Sequence, residues 1–148
     1  MPARSSEKVQ RPVTAGYSGK PLIEKLGMKP GMRVFLINAP DNYSSILGPF
    51  PEGTLLIKSL RGPLDLIHLF TVSVGELDKN FARARKRLAS NGALWVSWPK
   101  RSSGVKTDVN ENVVRKIGLA QGLVDVKICA VDEMWSGLKF VYRLKDRK

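Results

Sequence analysis

Cysteine and histidine are almost absent from this chain: its 148 residues hold one of each, Cys129 and His68. A lone cysteine excludes an intramolecular disulfide, and one Cys with one His is too few for a Cys/His zinc site. Acidic side chains are also scarce. The 13 Asp+Glu face 25 Lys+Arg, which leaves a formal charge of +12. No apolar run approaches the ~20 residues of a membrane helix, and the stretch MPARSSEKVQRPV has no apolar signal core. A phosphate-cradling loop is missing too. In Gly16-Tyr-Ser-Gly-Lys20 the glycine spacing is wrong, no strand precedes it, and Pro21 stands where Ser or Thr would meet magnesium. These absences lead us to expect a reduced, cytoplasmic protein with neither disulfide, metal nor membrane chemistry.

What is present is enough apolar material for a core: 43% of residues are hydrophobic, and a chain of this length buries roughly two-thirds of its unfolded surface. Residues 1–16 lack apolar periodicity and read as a mobile basic arm, with one domain expected over 17–148. Pro21 opens a short helix that Gly27 ends, and Pro30-Gly31 turns the chain. Arg33–Ile37 reads as a central strand, 42–48 as a weak helix, Thr54–Lys58 as a second strand and Leu64–Val72 as a third. A helix is expected over Gly75–Ser90. Leu77, Phe81, Ala84 and Leu88 form its core stripe, and Asn91-Gly92 is its left-handed stop. Ala93–Trp98 is another strand. Asp108-x-x-Glu111 resembles a capping box for a helix running to Gln121. Val124–Val131 and Leu138–Leu144 then pair around Ser136-Gly137, and no crossover helix fits between them, so they are antiparallel. Alternating strands and helices make this an α/β chain, a mostly parallel sheet of about six strands between helices on both faces.

The segment Leu26-Gly-x-Lys-Pro-Gly-Met-Arg-Val leads into a strand, and Leu88-Ala-Ser-Asn-Gly-Ala-Leu-Trp-Val leads from a helix into another. With the antiparallel C-terminal pair, this element order resembles the class I S-adenosylmethionine-dependent methyltransferases over most of 22–144. The resemblance implies a three-layer Rossmann-like sandwich. This chain departs from that family in three places. The stretch 37–43 (Ile-Asn-Ala-Pro-Asp-Asn-Tyr) has no glycine and carries a φ-locking proline where the family brings bare backbone to its cofactor. The second strand ends Lys58-Ser-Leu-Arg61, with no carboxylate for ribose hydroxyls. One strand–helix unit of the first half is also missing. The strings GYSGKPLIEKLG, LINAP, RGPLD, LWVSWPK and GLVDVKICAVDEMWSGLKFV are further similar to a bacterial family described only as a domain of unknown function, which implies no activity.

The expected binding crevice lies at the carboxyl ends of the strands, built from 38–41, 59–61, 71–73 and 98–100. Asn38 and Asp41 would offer polar contacts, Trp98 a stacking face, and Arg61 and Lys100 anion contacts. Tyr17, Ser18 and Lys20 would lie over it. No cofactor is expected, and S-adenosylmethionine enters only with the active-methyltransferase alternative. The leading expectation is a methyltransferase-like domain without methyl transfer that binds a small ligand or protein partner. Two alternatives stand beside it: an active methyltransferase with a divergent loop, and a nucleic-acid-associated protein using Lys79, Arg83, Lys86 and Arg87, cations on one helix face suited to phosphates. A charge run of this kind also serves as an ordinary solvated face. Ser97-x-x-Lys100 has the spacing of a serine–lysine nucleophile pair, but Pro99 bars the helix that pair needs. His68 reads as a buried or edge histidine, Cys129 as a small buried apolar residue, and Asp132-Glu133 as turn charges.

Overall fold

A computed structural model describes residues 20–147. Tyr17, Ser18 and the arm fall outside that range. Six strands form one sheet in the order β2-β1-β3-β4-β6-β5. They are β1 (Arg33–Ile37), β2 (Leu55–Leu56), β3 (Leu64–Phe70), β4 (Leu88–Pro99), β5 (Leu123–Ala130) and β6 (Trp135–Tyr142). β2, β1, β3 and β4 run parallel, while β6 is antiparallel to both β4 and β5. Helices α1 (Leu22–Leu26) and α2 (Tyr43–Leu47) belong to one face, and α3 (Val74–Arg87) and α4 (Glu111–Ala120) to the other. The alternating α/β order, the parallel half and the antiparallel C-terminal pair are as expected.

β3 is the strand that organises this arrangement. All its residues except Asp65 are buried, so neither face can be left to water. Leu66 and Phe70 pack with α1, α2, Trp95 and Trp135, and Ile67 and Leu69 pack with α3 and α4. The α3 stripe closes the second core: Leu77, Phe81 and Ala84 are fully buried, and Phe81 meets Phe140 edge-on at 5.3 Å. The Ser73 hydroxyl caps α3 by accepting from the Glu76 N–H.

Several boundaries differ from the sequence expectation. α3 stops at Arg87, and Leu88 is the first residue of β4, paired with Leu64. Asn91-Gly92 is therefore no helix stop. Gly92 lies inside β4, and a Cβ there would come within 2.9 Å of the Leu64 carbonyl oxygen. Glycine is needed for close backbone approach, not for a left-handed turn. α4 is capped by Asn110, whose Oδ1 accepts from the Val113 N–H. Asp108 instead accepts from the Val74 N–H at 2.9 Å and ties this loop to the start of α3. Ser136-Gly137 is interior to β6. The hairpin turn is 131–134, where Asp132 Oδ1 accepts from the N–H groups of Met134 and Trp135. β2 shrinks to two exposed residues, and β1 is mostly half-buried beside that short edge. Cys129 is half-buried rather than buried.

Gly118 sets how closely α4 sits on the sheet. A Cβ there would stand 2.0 Å from Cε1 of the fully buried Phe140 ring. Gly118→Ala gains about 1 kcal/mol of helix propensity but overpacks a closed core. We expect a net loss of about 1–3 kcal/mol, read as a lower urea midpoint at unchanged slope.

Candidate functional site at the carboxyl ends of the strands

The chain leaves β1 outward to β2 and then returns to β3 on the other side. The carboxyl ends of β1 and β3 thus flank a topological switch point, where open α/β sheets hold ligands. Directly after β1, Asn38 adopts a left-handed backbone (φ 56°) and is exposed. Asparagine tolerates this conformation, so the chain makes a glycine-like turn with a side chain attached. Asp41 is exposed just before Asn42, the residue that opens α2. Arg61 is exposed in the connection from β2 to β3, and Lys20 is exposed beside Pro21.

Trp98 and Lys100 belong to a different opening. A cavity of about 750 Å³ lies past the end of β4, lined by Trp98–Arg101, Val105, 107–112, Ile128 and Ser136. Asn38, Asp41 and Arg61 are not among its lining residues. The loop after β4 is fastened back toward the start of α3. Thr107 Oγ1 donates to the Val72 carbonyl at 2.5 Å, beside the Asp108 tether, and so ties this loop to the end of β3 and the start of α3. Thr71 and Ser73 are also engaged with each other and with the α3 N-terminus.

Trp98 is only 6% exposed. It belongs to the core on the α3/α4 face and offers the cavity an apolar wall rather than a free stacking surface. Lys100 is half-buried and its N–H donates to the Met134 carbonyl. Arg101 is exposed at the same rim. Glu111 also lines the cavity, but Arg115 donates to its carboxylate at 2.6 Å and to Asp125 at 2.9 Å. The bond from Arg115 holds the Asp125 carboxyl below its ordinary range. Sequence reasoning missed Arg101 and the 107–112 wall, because only the folded loop carries them to the end of β4.

A second arrangement was also missed. Tyr43 Oη, His68 and Ser97 form a buried chain, with Oη 3.0 Å from Nδ1 and Nε2 2.8 Å from Ser97 Oγ. A neutral imidazole has one donor and one acceptor nitrogen, and either tautomer satisfies both hydroxyls. Phe70 stacks on His68 at 4.3 Å. The serine–histidine spacing is that of a nucleophile and its base, yet His68 and Ser97 are fully buried and Tyr43 is nearly so. The serine and the imidazole are both closed to solvent, and the chain is a satisfied polar seam in the core. The signal in the sequence was two polar residues inside apolar strands, but the register that joins them is not readable from one chain.

The four cations on α3 (Lys79, Arg83, Lys86 and Arg87) are all exposed, and Arg83 Nη1 donates to Asn80 Oδ1. Among the described residues no helix is long and apolar enough to cross a membrane, and no group of three or more His, Cys, Asp or Glu is placed to hold a metal.

Solved structures decide the fold. A precorrin-6y C5,15-methyltransferase from Geobacter metallireducens is 11% identical over 82% of this chain and 86% of its own, with a TM-score of 0.57. The fold is that of the S-adenosylmethionine-dependent methyltransferases. Such a methyltransferase from Aquifex aeolicus is 15% identical over 80% of this chain and 86% of its own, again at 0.57. The fibrillarin of Aeropyrum pernix, solved with bound S-adenosyl-L-methionine, is 16% identical over 85% and 70%, at 0.54. No family model matches the chain, and no curated sequence is similar to it. At these identities the methyltransferase likeness concerns the fold alone.

Burial draws the His68 pKa down to about 3. Unfolded, the ring titrates near 6.5, so between those values the unfolded state binds the extra proton. The contribution is complete above about pH 6.5 and is lost as pH falls toward 3, at up to about 1.4 kcal/mol per pH unit. In His68→Gln, urea midpoints followed across this window should show a flatter acid limb than the parent.

Proposed function

We propose that this protein is a methyltransferase-fold binding domain that takes a small anionic ligand in the cavity past β4 and performs no methyl transfer. The observation that carries the reading is the pairing of Lys100 and Arg101 with the apolar wall of Trp98 around one opening of about 750 Å³. A cavity of that size, with an apolar side and a few converging charges, suits a small molecule. Of its two carboxylates, Glu111 is paired with Arg115, which leaves Asp108 as the one acidic charge against Lys100 and Arg101.

The departures at the switch point support the second half of the proposal. Within 38–42 and 57–61 the one carboxylate is Asp41, and the end of β2 carries Lys58 and Arg61. Ribose hydroxyls would meet cations there, where the fold's Rossmann relatives place an acid. Pro40 stiffens the turn that would have to cradle the nucleoside.

Thermal shift tests both halves. S-adenosylmethionine and S-adenosylhomocysteine at millimolar concentration should leave the melting temperature unchanged. A tight-binding adenosyl ligand at 100-fold its dissociation constant would add about 2.7 kcal/mol, and a shift of that kind would sink the proposal. A panel of organic acids and nucleotides should contain a stabilising member whose effect disappears in Lys100→Ala/Arg101→Ala and persists in Lys79→Ala/Lys86→Ala. Equal loss in both variants would point to bulk charge instead.

A further inference from the structure

Opposite the cavity, on the α1 face of the sheet, lysines converge on the end of a short helix. Lys127 and Lys139 stand directly across the β5–β6 ladder from one another. Their register puts both on the face shared with Trp95, while Leu138 and Phe140 point to the other core. α1 ends above them. Lys127 Nζ donates to the Lys25 carbonyl at 3.4 Å, and Lys139 Nζ stands 3.7 Å from where a Cβ on Gly27 would be. Gly27 has no side chain to lay over the Lys139 ammonium. Lys25 is 4% exposed and donates Nζ to the Ala130 carbonyl at 3.1 Å, which pins α1 against β5. Lys29, exposed, follows two residues after Gly27.

Like charges directly opposite on an antiparallel ladder repel. The carbonyls at the end of α1 compensate them in part, but a helix of five residues has a weak negative pole. Lys139 carries the strain: burial, then the charges of Lys127 and Lys29, push its pKa down. An anion seated among the ammonium groups would remove the repulsion. A multiply charged one gains most, since lysine acts on phosphate as a point charge. We infer that Lys29, Lys127 and Lys139, around the Gly27 end of α1, form a binding site for a phosphate group. This site lies on the other face of the sheet from the cavity past β4 and stands or falls separately from it.

The test is thermal unfolding of the full chain in inorganic pyrophosphate, in a short single-stranded oligonucleotide, and in chloride at matched ionic strength. The variants are Lys127→Met/Lys139→Met, which keeps the apolar stems, and Lys29→Met, whose exposed side chain leaves packing untouched. We expect pyrophosphate to raise the parent's melting temperature by about 5 °C more than chloride does. That increment should vanish in both variants and survive in Lys100→Ala/Arg101→Ala. A variant-sensitive increment with the oligonucleotide alone would assign the phosphate to a nucleic-acid backbone. An increment no larger than that of chloride with either ligand, or one retained in both variants, would overturn the proposal.

Discussion

Two adjacent strands buried on both faces, β3 and β4, are the constraint on which the molecule depends. A strand with no solvent face needs a partner on each edge and a cover on each side. β3 takes β1 and β4 as parallel neighbours, and β4 takes β3 and the antiparallel β6. Helices must then occupy both faces, and the crossovers between parallel strands supply them. Polar groups at the centre of this core pair with one another or with backbone: His68 with Tyr43 and Ser97, and the Trp95 indole N–H with the Leu26 carbonyl at 2.9 Å. The second bond also fixes α1 on its face of the sheet.

The same constraint decides where chemistry can occur. Serine, histidine and tyrosine form a hydrogen-bonded chain, but it is buried in the centre and lacks the carboxylate that orients the histidine of a hydrolase triad. What stays open is the rim: the turn after β1, the connection after β2, and the cavity past β4. The fold is shared with enzymes that use S-adenosylmethionine. The rim carries Asn38, Asp41 and Arg61 near the switch point, and Lys100, Arg101, Asp108 and Glu111 around the cavity.

Much of the fold was legible because local signals agreed with one another. The α3 stripe of Leu77, Phe81 and Ala84, the apolar run of β1 and the missing crossover before β6 each had one cheap structural solution. Errors gathered where a residue serves two structures. Leu88 continues the helical stripe in sequence but pairs with Leu64, and Gly92 looks like a helix stop but makes room for the Leu64 carbonyl. Asp108 has the spacing of a cap, yet it is spent on Val74 while Asn110 caps α4. In each case a distant backbone group outcompeted the local signal.

For the site, residue chemistry was readable and convergence was not. Composition alone determined that this chain forms no disulfide within itself and carries a large cationic excess, because those conclusions depend only on which side chains exist. Hydrophobic period determined the α/β order, because helix and strand expose their side chains at different intervals. Tertiary structure alone decided that Trp98 and Lys100 share a cavity that Asn38, Asp41 and Arg61 do not line. It also decided that His68 meets Ser97, and that Lys127 faces Lys139 beneath α1. Contacts between residues far apart along the chain depend on strand register and loop path, and those are set by how the whole core closes.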